Sequence, residues 1–356
     1  MDTRHYDLLI KHWLSLDLDA WTRQVIRRHF DPELGSPYWV KRATELDFNP
    51  LDITRYEEIT AFGPFPPDLM RTLDPTAMVP LSAPRPLNGR VWETGGTTGT
   101  PWRLFYTEPM LLHRGVWRRW SWAAEGFEPF RPWLHALPSG PHTVGNIVRE
   151  LVEHFGAVVY PIDMDPRWVK RLIRANRLAE VNEYTEHLLE QIDDVSKQRI
   201  DYVHSTPPLF DVLVRRRPEL VAKLEGVRLV GAHITPAMYR DFSRALNGGI
   251  LGLTYGNTLG NCVGLPAQRD GDLLPYVPNY PHVTIAVVDK SDWTRTVEFG
   301  ETGRVRLTVL QDDLFLPNVL ERDQAERHDL SGEWPCDGVA NVRPLEISRA
   351  KPEGLY

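Results

Sequence analysis

Between Trp133 and Thr254 the sequence switches repeatedly between two periodicities, and this alternation constrains the fold more than any other feature. Short apolar runs at 133–137, 157–162, 201–204, 227–231 and 250–254 read as buried strands. Between them lie stretches with helical spacing. After a capping Thr143 come Val144, Ile147, Val148, Leu151, Val152 and Phe155 as an inward face, with Gly156 as the stop. Further helices are expected at 165–176, 178–197, 208–214, 218–224 and 235–246. Strands separated by helices predict a largely parallel sheet covered on both faces. Ligands of such sheets bind beyond the carboxyl ends of the strands. Here those ends are Ser139-Gly140-Pro141-His142, Ser205-Thr206-Pro207-Pro208, Gly231-Ala232-His233 and Tyr255-Gly256-Asn257-Thr258.

Different patterns flank this region. Residues 5–46 read as helical, with Leu8, Leu9, Trp13, Trp21, Val25 and Ile26 on the apolar face and Pro37 interrupting. A proline-punctuated stretch follows, containing a short amphipathic helix at 52–59. A helix from Thr107 to about Glu125, closed by Gly126, carries Trp117, Trp120 and Trp122 beside Arg114, Arg118 and Arg119. Its spacing favours an aromatic side buried against a sheet over an aromatic-basic binding face. From Leu273 onward the pattern turns to strands, at 283–289, 303–310 and 316–320. The expected division is an α/β core over 1–270, a smaller β-rich subdomain over 271–345 and a tail over 346–356.

Composition excludes several classes. A net charge of -7 gives no basic footprint for nucleic acid, and no apolar run approaches the length of a membrane span. Two cysteines, Cys262 and Cys336, far apart in sequence, provide neither a disulfide framework nor a cysteine zinc site. A reducing cytoplasm is the expected setting.

The stretch Glu93-Thr94-Gly95-Gly96-Thr97-Thr98-Gly99-Thr100-Pro101 has the composition of a phosphate-binding loop. Its glycines free the backbone to turn sharply, so that N–H groups and threonine hydroxyls can converge on one anion. Strands are expected on both sides, at 89–92 and 102–106. A Walker loop needs Gly-Lys-Ser/Thr opening a helix, and a dinucleotide loop needs three glycines spaced two and three apart; neither pattern is present.

The run from Thr94 to Pro101 resembles the Gly/Thr signature of the acyl-adenylate-forming enzymes, the superfamily of acyl-CoA ligases and peptide-synthetase adenylation domains. Three later stretches are similar to further motifs of that family: Gly231-Ala232-His233, Tyr255-Gly256-Asn257-Thr258-Leu259, and Pro317 to Asp323. The resemblance implies a large α/β adenylating domain with mostly parallel sheets flanked by helices. It implies ATP and magnesium as cofactors, with Thr94, Gly95, Gly96, Thr97, Thr98 and Gly99 around the β- and γ-phosphates. Gly231, Ala232, His233 and Tyr255 would lie beside adenine, Thr258 on the α-phosphate and Asp323 on the ribose hydroxyls, with Gly256 and Asn257 also among the nucleotide-binding residues. Thr97, Thr98, Thr258 and His142 are the expected catalytic residues, and Ser139, Gly140, His142, Asn146 and Ser205 the expected substrate pocket. At residue level two roles stay open for His142, a pocket residue or a hydrogen-bonded loop histidine. Asp323 is open in the same way, as a ribose ligand or as part of a surface charge cluster with Arg322. An ionised carboxylate suits the ribose role because it accepts two hydroxyls at once.

Three departures qualify the resemblance. The basic residue that many members carry after the proline is Trp102 here. Leu259 stands where the family has a magnesium-binding glutamate, so no protein ligand for the metal is expected. Only 33 residues follow Asp323, and the expectation is that the C-terminal lid domain with its catalytic lysine is absent; Lys351 lies in the tail. The overall pattern resembles the phenylacetate-CoA ligase branch, in a short form similar to the adenylase of phenazine antibiotic biosynthesis. That implies an aromatic carboxylate as substrate. A reductase, carrier protein, amine or alcohol would then accept the acyl group. A catalytically impaired nucleotide- or aryl-ligand-binding relic is the other reading.

Overall fold

A computed structural model describes residues 3–94 and 101–345. The first helical stretch is three helices, α1 Thr3–Leu14, α2 Leu18–Phe30 and α3 Pro37–Ala43. It breaks where polar side chains take over the backbone. Asp17 accepts from Ala20 N at 2.8 Å and so caps α2, while Pro37 occupies the first turn of α3, where a missing N–H costs nothing. The helix expected at 52–59 is instead a pair of 3₁₀ turns, Pro50–Asp52 and Tyr56–Phe62. Glu58 accepts from the backbone N–H groups of Thr54 and Arg55 at 2.8 and 2.9 Å, which holds the chain in the tighter turn.

Strands β1 Gly89–Glu93 and β2 Arg103–Thr107 pair antiparallel and flank the glycine-threonine loop. Helix α4, Glu108–Glu125, ends at Gly126, whose φ of 96° fits the left-handed cap that glycine adopts without strain. Strand β3 is Pro132–Ala136. Thr143 does not cap the next helix: it opens a 3₁₀ turn, and α5 runs Asn146–Phe155 before stopping at Gly156. Val152 of α5 is exposed rather than inward. There follow β4 Val158–Pro161, α6 Pro166–Arg174, α7 Leu178–Val195 and β5 Tyr202–Ser205. Helix α8, Pro207–Arg216, is capped by Thr206, and after α9 Pro218–Val221 and β6 Gly226–Leu229, α10 Pro236–Ala245 is capped by Thr235. Strand β7 is Ile250–Gly256.

The remaining strands are β8 Asn261–Gly264, β9 Pro275–Pro278, β10 Val283–Val288, β11 Thr302–Gln311, β12 Leu314–His328 and β13 Gly338–Pro344. One sheet of eleven strands runs β10-β11-β12-β13-β9-β8-β7-β6-β5-β3-β4. Its β4-β3-β5-β6-β7 half is parallel and the rest antiparallel, so the strands of the C-terminal segment continue the sheet of the α/β segment.

Period-2 alternation sorts the parallel half into two layers. Leu134, Val203, Val227 and Leu253 face Leu188, Leu189 and Ile192 of α7 with Phe210 and Phe242 of α8 and α10. Trp133 and Tyr202 face the other way, onto Trp122 of α4 and Leu151 and Phe155 of α5. Each such fully buried side chain contributes about 1.5–3 kcal/mol. Both faces of the strands are therefore covered, and the carboxyl ends are left for a site.

Candidate active site

A cavity of about 610 Å³ opens at the carboxyl ends of β5, β6 and β7. Among the described residues, seven lysine and arginine side chains line it against four carboxylates. Its floor comes from α4. Arg114 and Arg118 are four residues apart and so share one face of that helix, and both are buried with Trp117 and Trp122. The tryptophan side of α4 is thus core, as its spacing favours, and Arg119 is buried on the same helix beside these two arginines.

Arg114 braces the turn after β7. Its guanidinium donates to the Tyr106 hydroxyl at 2.8 Å, to Asn261 Oδ1 at 2.8 Å, and to the carbonyls of Asn257 and Thr258 at 3.3 Å each. Tyr106 in turn donates to Thr258 O at 2.7 Å. Asn257 closes the same turn from within, accepting from Leu259 N at 2.7 Å. A side chain at Gly256 would meet the Gly260 carbonyl at 2.5 Å, so the turn admits only glycine there.

Arg228 of β6 is buried and spends its donors inside the protein, on Glu125, Ser121, Leu253 O and Thr254. Burial pushes Glu125 up to about 7 despite that partner. Arg118 pairs with Glu150 through Nη1. His204 of β5 lines the same cavity, and burial, His135 and the two arginines hold it neutral at pH 7.

At the mouth, Glu93 is held by Arg103 and Arg167, each at 3.1 Å. Thr94 and Trp102 pair across the base of the glycine-threonine loop, Thr94 N donating to Trp102 O at 3.0 Å and Trp102 N to Thr94 Oγ1 at 3.0 Å. Both line the cavity. Gly95, Gly96, Thr97, Thr98 and Gly99 lie outside the described residues. Thr258 reaches back to this end, donating to Glu93 O at 3.3 Å. His142 is buried in the wall, its pKa lowered by burial and then by Arg167.

A smaller compartment of about 160 Å³ adjoins the first and shares Gly231, Thr254, Gly256 and Asp323 with it. Ala232, His233 and Tyr255 line only the smaller one. Tyr255 donates its hydroxyl to Asp323 Oδ2 at 2.9 Å. Burial raises the Asp323 pKa, and the Tyr255 bond and Arg322 oppose the rise. Two residues earlier on the same face of β12, Glu321 accepts from Asn257 at 2.8 Å and is pushed up to about 7 by burial and then by Asp323.

Four expected pocket residues do not line the cavity. Ser139 and Gly140 are exposed in the loop after β3; Asn146 turns aside to donate to Glu150 at 2.8 Å; and Ser205 is enclosed behind the strand end. Sequence reasoning set Arg114 and Arg118 aside with the aromatic side of α4 and missed Arg228, His204 and Glu321. The signal for the first two was a pair of arginines four apart on the tryptophan face of a helix. Leu259 is buried among Trp92, Leu104 and Val283, and among the described residues no group of three His, Cys, Asp or Glu side chains could hold a metal ion. These residues do not form a magnesium cage.

No protein-family model and no curated protein matches the chain. Solved structures do. An open conformation of 2-hydroxyisobutyryl-CoA ligase, in complex with 2-HIB-AMP and CoA, superposes with a TM-score of 0.62 at 13% identity, over 92% of this chain and 69% of that one. The postadenylation state of 2-hydroxyisobutyryl-CoA ligase, in complex with 2-HIB-AMP, gives a TM-score of 0.62 at 14% identity, over 93% and 67%. The chain shares the fold of 2-hydroxyisobutyryl-CoA ligase over the matched part of that structure. At such identity the likeness is one of fold, and the chain spans about two thirds of the ligase's length. The α/β adenylating-domain architecture expected from sequence is therefore present. Among the described residues no helix is long and apolar enough to cross a membrane.

Proposed function

We propose that the chain is an ATP-dependent, AMP-forming enzyme that activates an aromatic carboxylate to its acyl-adenylate. The observation that carries this reading is the pairing of a cation-lined cavity with an adjoining compartment that presents Asp323 and Tyr255. Together they suit a polyanion joined to a nucleoside. In the reaction a substrate carboxylate oxygen attacks the α-phosphorus, the bond to the bridging oxygen breaks, and pyrophosphate leaves. Asp323 holds the ribose, Tyr255 and the 231–233 segment flank the base, and Arg114 fixes the turn that carries Thr258. Thr97, Thr98 and the adjoining glycines are assigned to the outer phosphates, and His142 to the carboxylate. Catalysis is then positioning and charge stabilisation, with little covalent work for the protein. Magnesium arrives with the phosphates.

The resemblance to the phenylacetate-CoA ligase branch and its short phenazine relative supports a role in a cytoplasmic secondary-metabolite pathway. A carrier thiol, an amine, an alcohol or a separate reductase takes the acyl group. The buried, non-ligating Leu259 favours one second reading, a relic that binds nucleotide or aryl ligands without turnover. One experiment separates the two: incubation with ATP, magnesium and a panel of aryl carboxylates, read by mass spectrometry for acyl-AMP and by carboxylate-dependent ATP–pyrophosphate exchange. Acyl-AMP formation supports the enzyme. ATP binding without exchange for any acid overturns it.

A further inference from the structure

The inner end of the main cavity is too polar for an unsubstituted aromatic ring. Ile147, Val144 and Val230 supply apolar wall, but three side chains more than nine-tenths buried, Arg118, His204 and Arg228, line the cavity with them. Their donors are not equally occupied. Arg228 is surrounded by Glu125, Ser121, Thr254 and the Leu253 carbonyl. Arg118 meets only Glu150, at Nη1, and its Nε and Nη2 donate to no protein acceptor among the described residues. His204 Nε2 likewise has no protein partner among the described residues, whereas Nδ1 is enclosed and the ring lies edge-on to His135. Buried polar groups in a finished protein interior are nearly always hydrogen-bonded, so donors left over along a cavity wall mark where a ligand group belongs.

We propose that the substrate is an aromatic acid bearing a second oxygen substituent, a hydroxyl or carboxylate on the ring, which Arg118 and His204 bind at the end away from the reacting carboxylate. This rests on the reading of the cavity as the acyl site. A guanidinium offers several donors in one plane and matches such an oxygen well. An unsubstituted ring pushed into the same space strips water from those donors and returns nothing. Selectivity of this kind is large, because a site built to hydrogen-bond a substrate group leaves its own polar atoms unpaired with an analogue that lacks it.

The test is direct binding, by calorimetry without ATP, of benzoate, its three ring-hydroxylated isomers and the benzene dicarboxylates. At least one oxygen-bearing acid should bind about 100-fold tighter than benzoate. In Arg118→Met combined with Glu150→Gln, which leaves no uncompensated buried carboxylate, that preference should fall below about 10-fold, the oxygen-bearing acid binding more weakly and benzoate no more weakly than to wild type. Arg118→Lys, with Glu150 retained, should keep part of the preference, and a melting curve for each variant shows whether it folds. Benzoate binding as tightly as every substituted acid, or no acid binding at all, overturns the inference. Acyl-AMP assays on the same acids separate it from the functional reading: selective binding without acyl-AMP leaves the inference standing and removes the enzyme, whereas acyl-AMP formed equally well from benzoate does the reverse.

Discussion

Tyr255 and Asp323 lie on strands separated by three others in the sheet, yet their side chains meet at 2.9 Å. In a flat sheet, at about 4.8 Å per strand, β7 and β12 would stand roughly 19 Å apart. The antiparallel half must therefore curl back over the ends of the parallel half. This curl joins the smaller compartment to the larger one, and it is the reason a carboxylate from the C-terminal strands reaches the carboxyl end of β7.

If Asp323 serves a ribose, Asp323→Asn removes charge while keeping shape. A hydrogen bond to a charged group is worth about 1.5–3 kcal/mol, so adenosine nucleotides should bind about 10- to 100-fold more weakly. Aryl carboxylates, held at the other end of the cleft, should bind as before. Calorimetry with each ligand separately checks this, and equal loss of both would assign Asp323 to the framework instead.

Arg114 is a positioning residue. In Arg114→Met the acceptors it serves, the Asn257 and Thr258 carbonyls and Asn261 Oδ1, lose a buried donor together. Tyr106 still serves Thr258 O and Asn257 is exposed, so the buried acceptor left unsatisfied is Asn261 Oδ1, and urea denaturation should show a loss of about 1–3 kcal/mol. Turnover should fall further than nucleotide affinity, because the loosened turn carries Thr258. Arg114→Lys, with three donors on a flexible stem, should restore part of the stability and little of the rate.

The contrast between residues read from sequence and residues missed has a physical basis. Threonine caps at Thr206 and Thr235, glycine stops at Gly126 and Gly156 and the apolar alternation of β3, β5, β6 and β7 are local signals, and they mark the parallel half well. Strands β8 and β9 are four residues each, and β9 begins and ends in proline, so no periodicity could accumulate in them. Within the site, Gly231, Tyr255, Thr258 and Asp323 are strand-end residues in recognisable motifs. Arg118, Arg228 and His204 are not, because arginine on a helix or a strand usually means solvent. Their burial follows from the packing of α4 against β5 and β6, a long-range relationship that no window of sequence contains.

Glu125 and Glu321 each withdraw stability as pH rises from about 5 to about 8, while buried neutral histidines such as His29, His135 and His204 add stability as pH rises through 6.5. Burial raises Glu125 and Glu321 from 4.5 to about 7, so between those values the folded state binds more protons than the unfolded one, and the stabilisation present below 4.5 is lost as pH passes through 7. For Glu125 the shift corresponds to about 3 kcal/mol. Glu125→Gln should therefore move the slope of melting temperature against pH upward between pH 5 and 8, measured against wild type in the same buffers. An unchanged slope would mean that the Arg228 partner keeps the Glu125 carboxylate ionised throughout.

Restoring a carboxylate at position 259 tests how far this site has moved from one with a protein-held metal. Leu259 is 2% exposed and packs with Trp92, Leu104 and Val283, while its backbone N–H is taken by Asn257 Oδ1. That turn is held from outside by Arg114 and Tyr106 through Thr258 O, and the side chain at 259, though it borders the cavity, packs on the apolar side. Leu259→Glu should thus bury an acid among apolar rings, raise its pKa, and lower stability by several kcal/mol, of the order seen when an unpaired polar group enters a core. It should bring no tighter magnesium binding, because a single carboxylate facing the core offers the ion no coordination shell. Thermal denaturation with and without magnesium distinguishes the outcomes: a lower melting temperature insensitive to the ion is expected, whereas magnesium-dependent recovery of stability would show that the turn can present a ligand at 259 and that leucine alone keeps the metal off the protein.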